Sequence, residues 1–180
     1  SLNYPSLTRT EFGKIMGFLN SQEGFDTFTF TPTKYKDANG AATSLKTEHA
    51  GTINTDLTVN EPTAGYGIGD TSIDFTSNFT GTGTDPLYDS SADGPFLRAG
   101  DFIKFSQHNK VYQLTSDVTL ASDGSGTVSI SPRLQADISS SDTIIYTDVP
   151  WTVITGEDTV TGEASVGDTH SIGFEVREKP

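Results

Sequence analysis

The sequence predicts a mainly β fold, a β-sandwich with one N-terminal α-helix and an inserted small β-barrel. Three observations predict it. Thr (27) and Ser (19) make up about a quarter of the 180 residues, beside 18 Gly and 8 Pro. Thr is β-branched and suits a pleated surface, while Gly and Pro punctuate turns. The apolar residues, 33% of the chain, are gathered in short alternating runs, and aromatics at 10% recur in them, which separates the chain from a disordered one. Finally, five such runs crowd into residues 97–146, at the spacing of a small closed sheet.

One segment, 8–22, reads as helix. Thr8 and Glu11 have the spacing of a capping box, in which each side chain covers the other residue's free N–H. Phe12, Ile15, Met16 and Leu19 then follow the i, i+3, i+4, i+7 spacing of one buried stripe. Gly24 is the natural stop. Gly13 and Gly17 inside the helix each cost about 1 kcal/mol relative to Ala. Either another backbone approaches them closely, or the helix is marginal and held by packing.

Phe28 and Phe30 alternate with Thr27, Thr29 and Thr31 as a strand that Pro32 ends. Residues 33–51 have few apolar positions, an Asn39-Gly40 turn signal and Lys34, Lys36 and Lys46. They read as an extended, exposed loop, as do the polar residues 78–94. Strands are expected over 52–59 and 71–75. Between them, Gly65-Tyr66-Gly67-Ile68-Gly69-Asp70 only superficially suggests a phosphate loop. It lacks the GxGxxG spacing and leads into a strand instead of a helix, so it reads as a flexible connection. The regular half follows, with runs at 102–105, 111–114, 118–120, 127–130 and 143–146. Closure of these strands would remove exposed edges. Late strands at 151–154 and 170–176 are expected to pair back with the early ones. The domain expectation is therefore a discontinuous outer domain, 1–96 and 147–180, around a barrel at 97–146.

Charge narrows the function. The formal net charge of −13 lacks the clustered Lys and Arg that a phosphate backbone or an anionic membrane surface needs. Neither nucleic acid nor membrane insertion is expected, and no stretch approaches the roughly 18 apolar residues of a span. The opening residues SLNYPSLTRTEF show no basic segment followed by an apolar run, so no signal peptide is expected. Cys is absent, which excludes a disulfide frame, a thiol nucleophile and a thiolate metal site.

No catalytic constellation stands out. His49, His108 and His170 lack HxH or HExxH spacing, so no His-based metal site is expected. Asp85, Asp89 and Asp93 stand four apart and read as a solvated loop more readily than as a cation site. No G-x-S-x-G elbow occurs, and a glycosidase-type carboxylate pair has no positive support. No cofactor is expected. Tyr35, Tyr66 and Tyr88 are placed in loops, where exposed Tyr serves binding. Trp151 reads as core or interface before sugar platform.

The ordered pattern resembles the tail-tip or distal-tail-like structural proteins of tailed bacteriophages. Pro5 to Phe12 with Ile15 to Leu19, ahead of the Phe28/Phe30 strand, resembles the family's helix start and aromatic strand. More specific are Ala99-Gly100-Asp101-Phe102-Ile103-Lys104-Phe105, Lys110-Val111-Tyr112, Asp117-Val118, Asp123-Gly124-Ser125-Gly126 and Ile130-Ser131-Pro132-Arg133-Leu134. Gly173-Phe174-Glu175 is a third point of likeness. The chain departs from the family in opening almost at once on its helix, in Gln135 where an Arg often stands, and in lacking Pro-Arg-Gly after the first strand. The resemblance implies a virion protein of the tail, distal tail or baseplate, assembled in the bacterial host cytoplasm without catalysis. Its partners would be copies of itself in a ring and other tail or baseplate proteins. A cysteine-free chain suits assembly in a reducing cytoplasm. Interface candidates are Phe12, Met16, Leu19, Tyr35, Tyr66, Tyr88 and Trp151, with the loops 33–51 and 81–94 reaching adjacent subunits. The alternative is an extracellular carbohydrate-binding or adhesin-type β module, which needs exposed aromatics on one face.

Overall fold

A computed structural model describes residues 2–21, 27–51, 54–60, 65–79, 87–155, 161–165 and 169–178. The elements in order are β1 (Leu2–Thr8), α1 (Arg9–Ser21), β2 (Phe28–Phe30), α2 (Ala41–Glu48), β3 (Leu57–Val59), β4 (Ser72–Thr76), α3 (Ser90–Asp93), β5 (Phe102–Phe105), β6 (Val111–Leu114), β7 (Ser125–Ser131), β8 (Thr143–Ile145), β9 (Trp151–Thr155), β10 (Thr161–Ser165), β11 (Thr169–Phe174) and β12 (Val176–Glu178). The fold is mainly β. Its contacts divide it into two compact units, Ser1–Phe30 with Thr152–Lys179, and Thr31–Trp151.

The first unit holds two three-stranded sheets, ordered β1-β11-β10 and β12-β9-β2. Helix α1 packs on β1 and β11. Its start is the expected capping box. Thr8 N–H and hydroxyl donate to Glu11 Oε2 at 2.9 and 2.8 Å, and Glu11 N–H donates back to Thr8 Oγ1 at 3.3 Å. Leu19, Val153 and Ile172 are buried here. Phe12 is half-buried and stacks on His170 at 4.8 Å. Gly13 and Gly17 face open space, so no close backbone approach explains them among the described residues. The expected stop, Gly24, lies outside the described residues.

Two features of this unit were not expected. The chain does not open directly on the helix, because β1 precedes it and pairs antiparallel with β11. Pro5 hid this strand. Its place is a break in register between Tyr4 and Leu7, on a strand at the end of its sheet, where a missing N–H is tolerated. β10, which pairs with β11, was also missed. The late strands do pair with early ones, β11 with β1 and β9 with β2.

The second unit is a closed barrel of six strands, β3-β4-β7-β6-β5-β8. Four of its strands were legible between 97 and 146, but β3 and β4 lie before Leu97 and complete the ring. The expected boundaries at 96/97 and 146/147 are thus replaced by 30/31 and 151/152. Closure depends on β3, which joins β4 through Thr58↔Thr76 and β8 through Leu57↔Ile144. Alternation selects the interior. In β4, Ile73 and Phe75 are buried while Ser72, Asp74 and Thr76 are exposed. Ile103, Phe105, Tyr112, Leu114, Val128, Ile130 and Ile144 line the same core. Gly126 is needed opposite Phe75, since a Cβ there would sit 2.7 Å from Phe75 Cζ. Val118 forms an isolated bridge with Leu97 and not a strand of the ring.

Residues 33–51 are not an extended exposed loop. They contain α2, whose Ala42 and Leu45 are buried in the barrel's core cluster. Gly40 at its N-cap makes no side-chain cap. Instead Ala41 N–H and Ala42 N–H donate to the carbonyls of Pro95 and Phe96 at 3.0 and 2.9 Å. This satisfies helix-start donors that lack an internal partner. The crossing is so close that a Cβ on Gly40 would lie 2.7 Å from Leu97 Cα.

Candidate functional site

The carboxylates that a sequence search would test for chemistry are structural knots. Asp101, 2% exposed, accepts from Asn39 N–H at 2.9 Å, Asn39 Nδ2 at 2.8 Å and Arg98 N–H at 2.9 Å. Gly100 before it adopts φ 94°, a left-handed conformation that glycine tolerates. Asp142, equally buried, accepts from Ser139 N–H at 2.9 Å and from Gln107 N–H and Ser106 Oγ, both at 3.2 Å. Asp89 caps α3 by accepting from Ser91 N–H at 2.8 Å, and Asp93 accepts from Asp89 N–H at 2.8 Å. Asp85 lies outside the described residues. No group of three His, Cys, Asp or Glu that could hold a metal occurs among the described residues.

The glycine-rich connection is pinned, not flexible. Gly67 N–H donates to Asp70 Oδ2 at 2.8 Å, Ile68 N–H to Asp137 Oδ1 at 3.1 Å and Gly69 N–H to Leu134 O at 2.9 Å. Amides that would have to cradle a phosphate already face carboxylates and a carbonyl.

The sequence-predicted interface residues scatter. Leu19 is buried in the first unit, where Phe12 and Met16 are half-buried on the same helix. Tyr66 and Tyr88 are not exposed loop residues. Burial raises both phenols above the usual tyrosine range. Tyr66 Oη accepts from Asp74 N–H at 2.8 Å, and Tyr88 Oη donates to Gly94 O at 2.7 Å. Only Tyr35 is exposed, at 49%. Its ring meets Phe102 edge to face at 5.9 Å, and Phe102 in turn meets Trp151 at 5.2 Å. Lys34 Nζ stands 5.2 Å from the Tyr35 centroid. Of the histidines, His108 is buried, with Nε2 3.0 Å from Asp137 O, and His49 closes α2.

A strap was missed because its partners are over 100 residues apart. Val149 N–H donates to Lys36 O at 2.8 Å, Ala38 N–H to Tyr146 O at 2.9 Å and Asp148 N–H to Asp37 Oδ1 at 2.9 Å. Lys36 Nζ reaches Asp148 at 2.7 Å and Asp37 at 3.1 Å, bonds that hold it above the usual lysine range. Burial works to raise the Asp37 carboxyl, but the Asp148 N–H and the Lys36 ammonium outweigh it and hold it below the usual range. Lys46 Nζ donates to Thr147 Oγ1 at 2.9 Å over the face of Tyr146.

A polar cleft of about 600 Å³ on the barrel is lined by Asn60, Asp74, Asp117 and the 118–121 and 125–127 segments. Its carboxylates are engaged, Asp74 by the Thr127 hydroxyl at 2.6 Å and Asp117 by Ala99 N–H at 2.8 Å. An apolar groove of about 400 Å³ lies between α1 and β2 in the first unit. Four of its seven lining residues, Phe18, Phe28, Phe30 and Phe174, are aromatic. No family model matches the chain, and no curated protein matches it. No helix among the described residues is long and apolar enough to cross a membrane.

Proposed function

We propose that the chain is a structural protein of a phage tail (distal tail, tail tip or baseplate), which assembles through subunit contacts without catalysis. On this reading the two three-stranded sheets pack as a sandwich, and the barrel is an insertion that docks peripheral proteins or pads a ring rim. Its partners are copies of itself and other tail or baseplate proteins in the virion, assembled in the host cytoplasm.

The observation that carries this reading is the place of the residues that resemble the tail proteins. Ala99-Gly100-Asp101 forms the knot that fastens Asn39, Phe102–Phe105 and Val111-Tyr112 lie in barrel strands, and Asp123-Gly124 turns the chain into β7, which starts at Ser125-Gly126, with Asp123 accepting from Ser125 N–H at 3.0 Å. Each of these stretches positions a strand or ties a loop. A scaffold built this way presents surfaces for other subunits.

Negative-stain electron microscopy of the purified chain tests the reading. Rings of uniform diameter are the expected result. Dispersed single particles that bind a glycan array would favour the carbohydrate-binding alternative and overturn it.

A further inference from the structure

The chain holds a single Asn-Gly pair, Asn39-Gly40. Such a pair is chemically labile. The Gly40 nitrogen can attack Asn39 Cγ and close a five-membered ring, and glycine puts no Cβ in the way. Asn39 is exposed, so water is at hand. The fold nevertheless opposes closure from both sides. Asn39 Nδ2 donates to Asp101 Oδ1 at 2.8 Å, and Asn39 N–H donates to the same oxygen at 2.9 Å. These bonds fix the side-chain amide and set an acceptor on the nitrogen that must gain a proton to leave. Asp101 is 2% exposed and also accepts from Arg98 N–H at 2.9 Å, so the acceptor is itself fixed. Gly40 is held from the other side. A Cβ on it would lie 2.7 Å from Leu97 Cα, and the next two amides, Ala41 N–H and Ala42 N–H, donate to Pro95 O and Phe96 O at 3.0 and 2.9 Å. The Gly40 nitrogen cannot swing toward Asn39 Cγ unless the start of α2 lifts off residues 95–97.

We propose that Asn39 is a modification site, a deamidation site that the Asp101 knot keeps shut, and that its conversion is a one-way step out of the fold. The chemistry needs only water. Once the knot opens, the Gly40 nitrogen gives its proton to solvent and bonds to Asn39 Cγ. The Cγ–Nδ2 bond breaks, and that nitrogen takes up a proton and leaves as ammonia. Water then adds to either carbonyl of the succinimide, and the ring C–N bond at that carbonyl opens to leave aspartate or isoaspartate at position 39. Neither product rebuilds the knot. Each sets a second carboxylate where an amide donated to Asp101, and like charges that close repel. Isoaspartate also adds a methylene to the backbone just ahead of Gly40, at a crossing without room for a Cβ.

The test uses the full chain, incubated in mildly alkaline buffer with and without urea. Mass spectrometry of the tryptic peptide 37–46, bounded by Lys36 and Lys46, reads the conversion at Asn39. Conversion should be at least about 10-fold slower in the folded chain than in urea, the protection that a hydrogen bond to a charged group gives. Asp101→Asn should speed conversion in native buffer. Asp142→Asn, which loosens the other buried knot, should leave it near the parent rate. Asn39→Asp, made directly, should lower the urea midpoint further than Asn39→Ala, which removes one bond and adds no charge. Equal rates with and without urea overturn the proposal. So does an Asp142→Asn chain that converts as fast as Asp101→Asn, since global unfolding and not the knot would then set the rate. An Asn39→Asp chain as stable as the parent overturns the one-way step. If Asp101→Asn fails to fold, the parent's two rates and the two Asn39 variants decide.

Discussion

Gly17 and Gly40 are both glycines beside or inside helices, and the structure gives them opposite roles. A Cβ at Gly17 meets nothing within 4 Å, so Gly17→Ala gains helix propensity without a clash. It should raise stability by up to about 1 kcal/mol. Gly40→Ala pushes into the backbone of Leu97 and should destabilise by about 1–3 kcal/mol or more. Urea denaturation of the two variants checks this, and shifts of the same sign would refute the geometry. Asp101 supplies the second residue-scale prediction. Asp101→Asn keeps the shape but replaces one acceptor oxygen by a donor, which faces Arg98 N–H or the two Asn39 donors. One buried donor is left without its bond, at about 1–3 kcal/mol. A denaturation midpoint equal to the parent's would show that Asp101 is not the knot described. Neither role could be read from sequence, because Asn39 and Asp101 are 62 residues apart.

Among the elements, α1 was legible because its signals are local. The Thr8–Glu11 box and the apolar stripe lie within four turns of one another. α2 was not legible, because its start is satisfied by the carbonyls of Pro95 and Phe96, and it offers only Ala42 and Leu45 to the core. Removal of residues 33–51 therefore does more than shorten a loop. It takes out three core residues, Ala38, Ala42 and Leu45, and the Gly40 crossing, and the barrel unit should lose its cooperative thermal transition. A shortened chain that melts like the parent would contradict this. The pH response also belongs here, because the shifted carboxyls sit at element ends and turns. The Thr8 N–H and hydroxyl hold Glu11 below its usual range, the Ser125 hydroxyl and N–H do so for Asp123, and Asp37 is lowered in the strap. A folded-state pKa below the unfolded one gives stability that is present above the unfolded value and lost as pH falls through the folded one. Lys36 is raised, so its contribution is complete below the unfolded lysine value and lost as pH rises through the folded one. Stability should be flat from about pH 5 to 9 and fall below about pH 4. A denaturation midpoint that stays constant down to about pH 2 would show that these bonds contribute nothing.

For the whole molecule, alternation marks the β class and a strand at each of the six barrel positions, those at 52–59 and 71–75 included, because the inward face of each strand is set by neighbours two residues away. What alternation cannot give is closure. β3 pairs with β8 across about 85 residues, as Leu57↔Ile144 shows, and no local pattern marks that partnership. The domain boundary moved for the same reason. Site legibility failed differently. Tyr66 and Tyr88 sit in polar sequence, yet long-range packing buries their rings. The groove between α1 and β2 also draws on Phe174, far along the chain, which no local pattern marks. In the proposed role these surfaces serve assembly. Its most direct test is the mass of the purified chain by light scattering across a concentration series, alone and with phage tail extract. A closed ring of several copies, or growth of one when extract is added, is the expected result. A strict monomer at every concentration, unchanged by the extract, would contradict it.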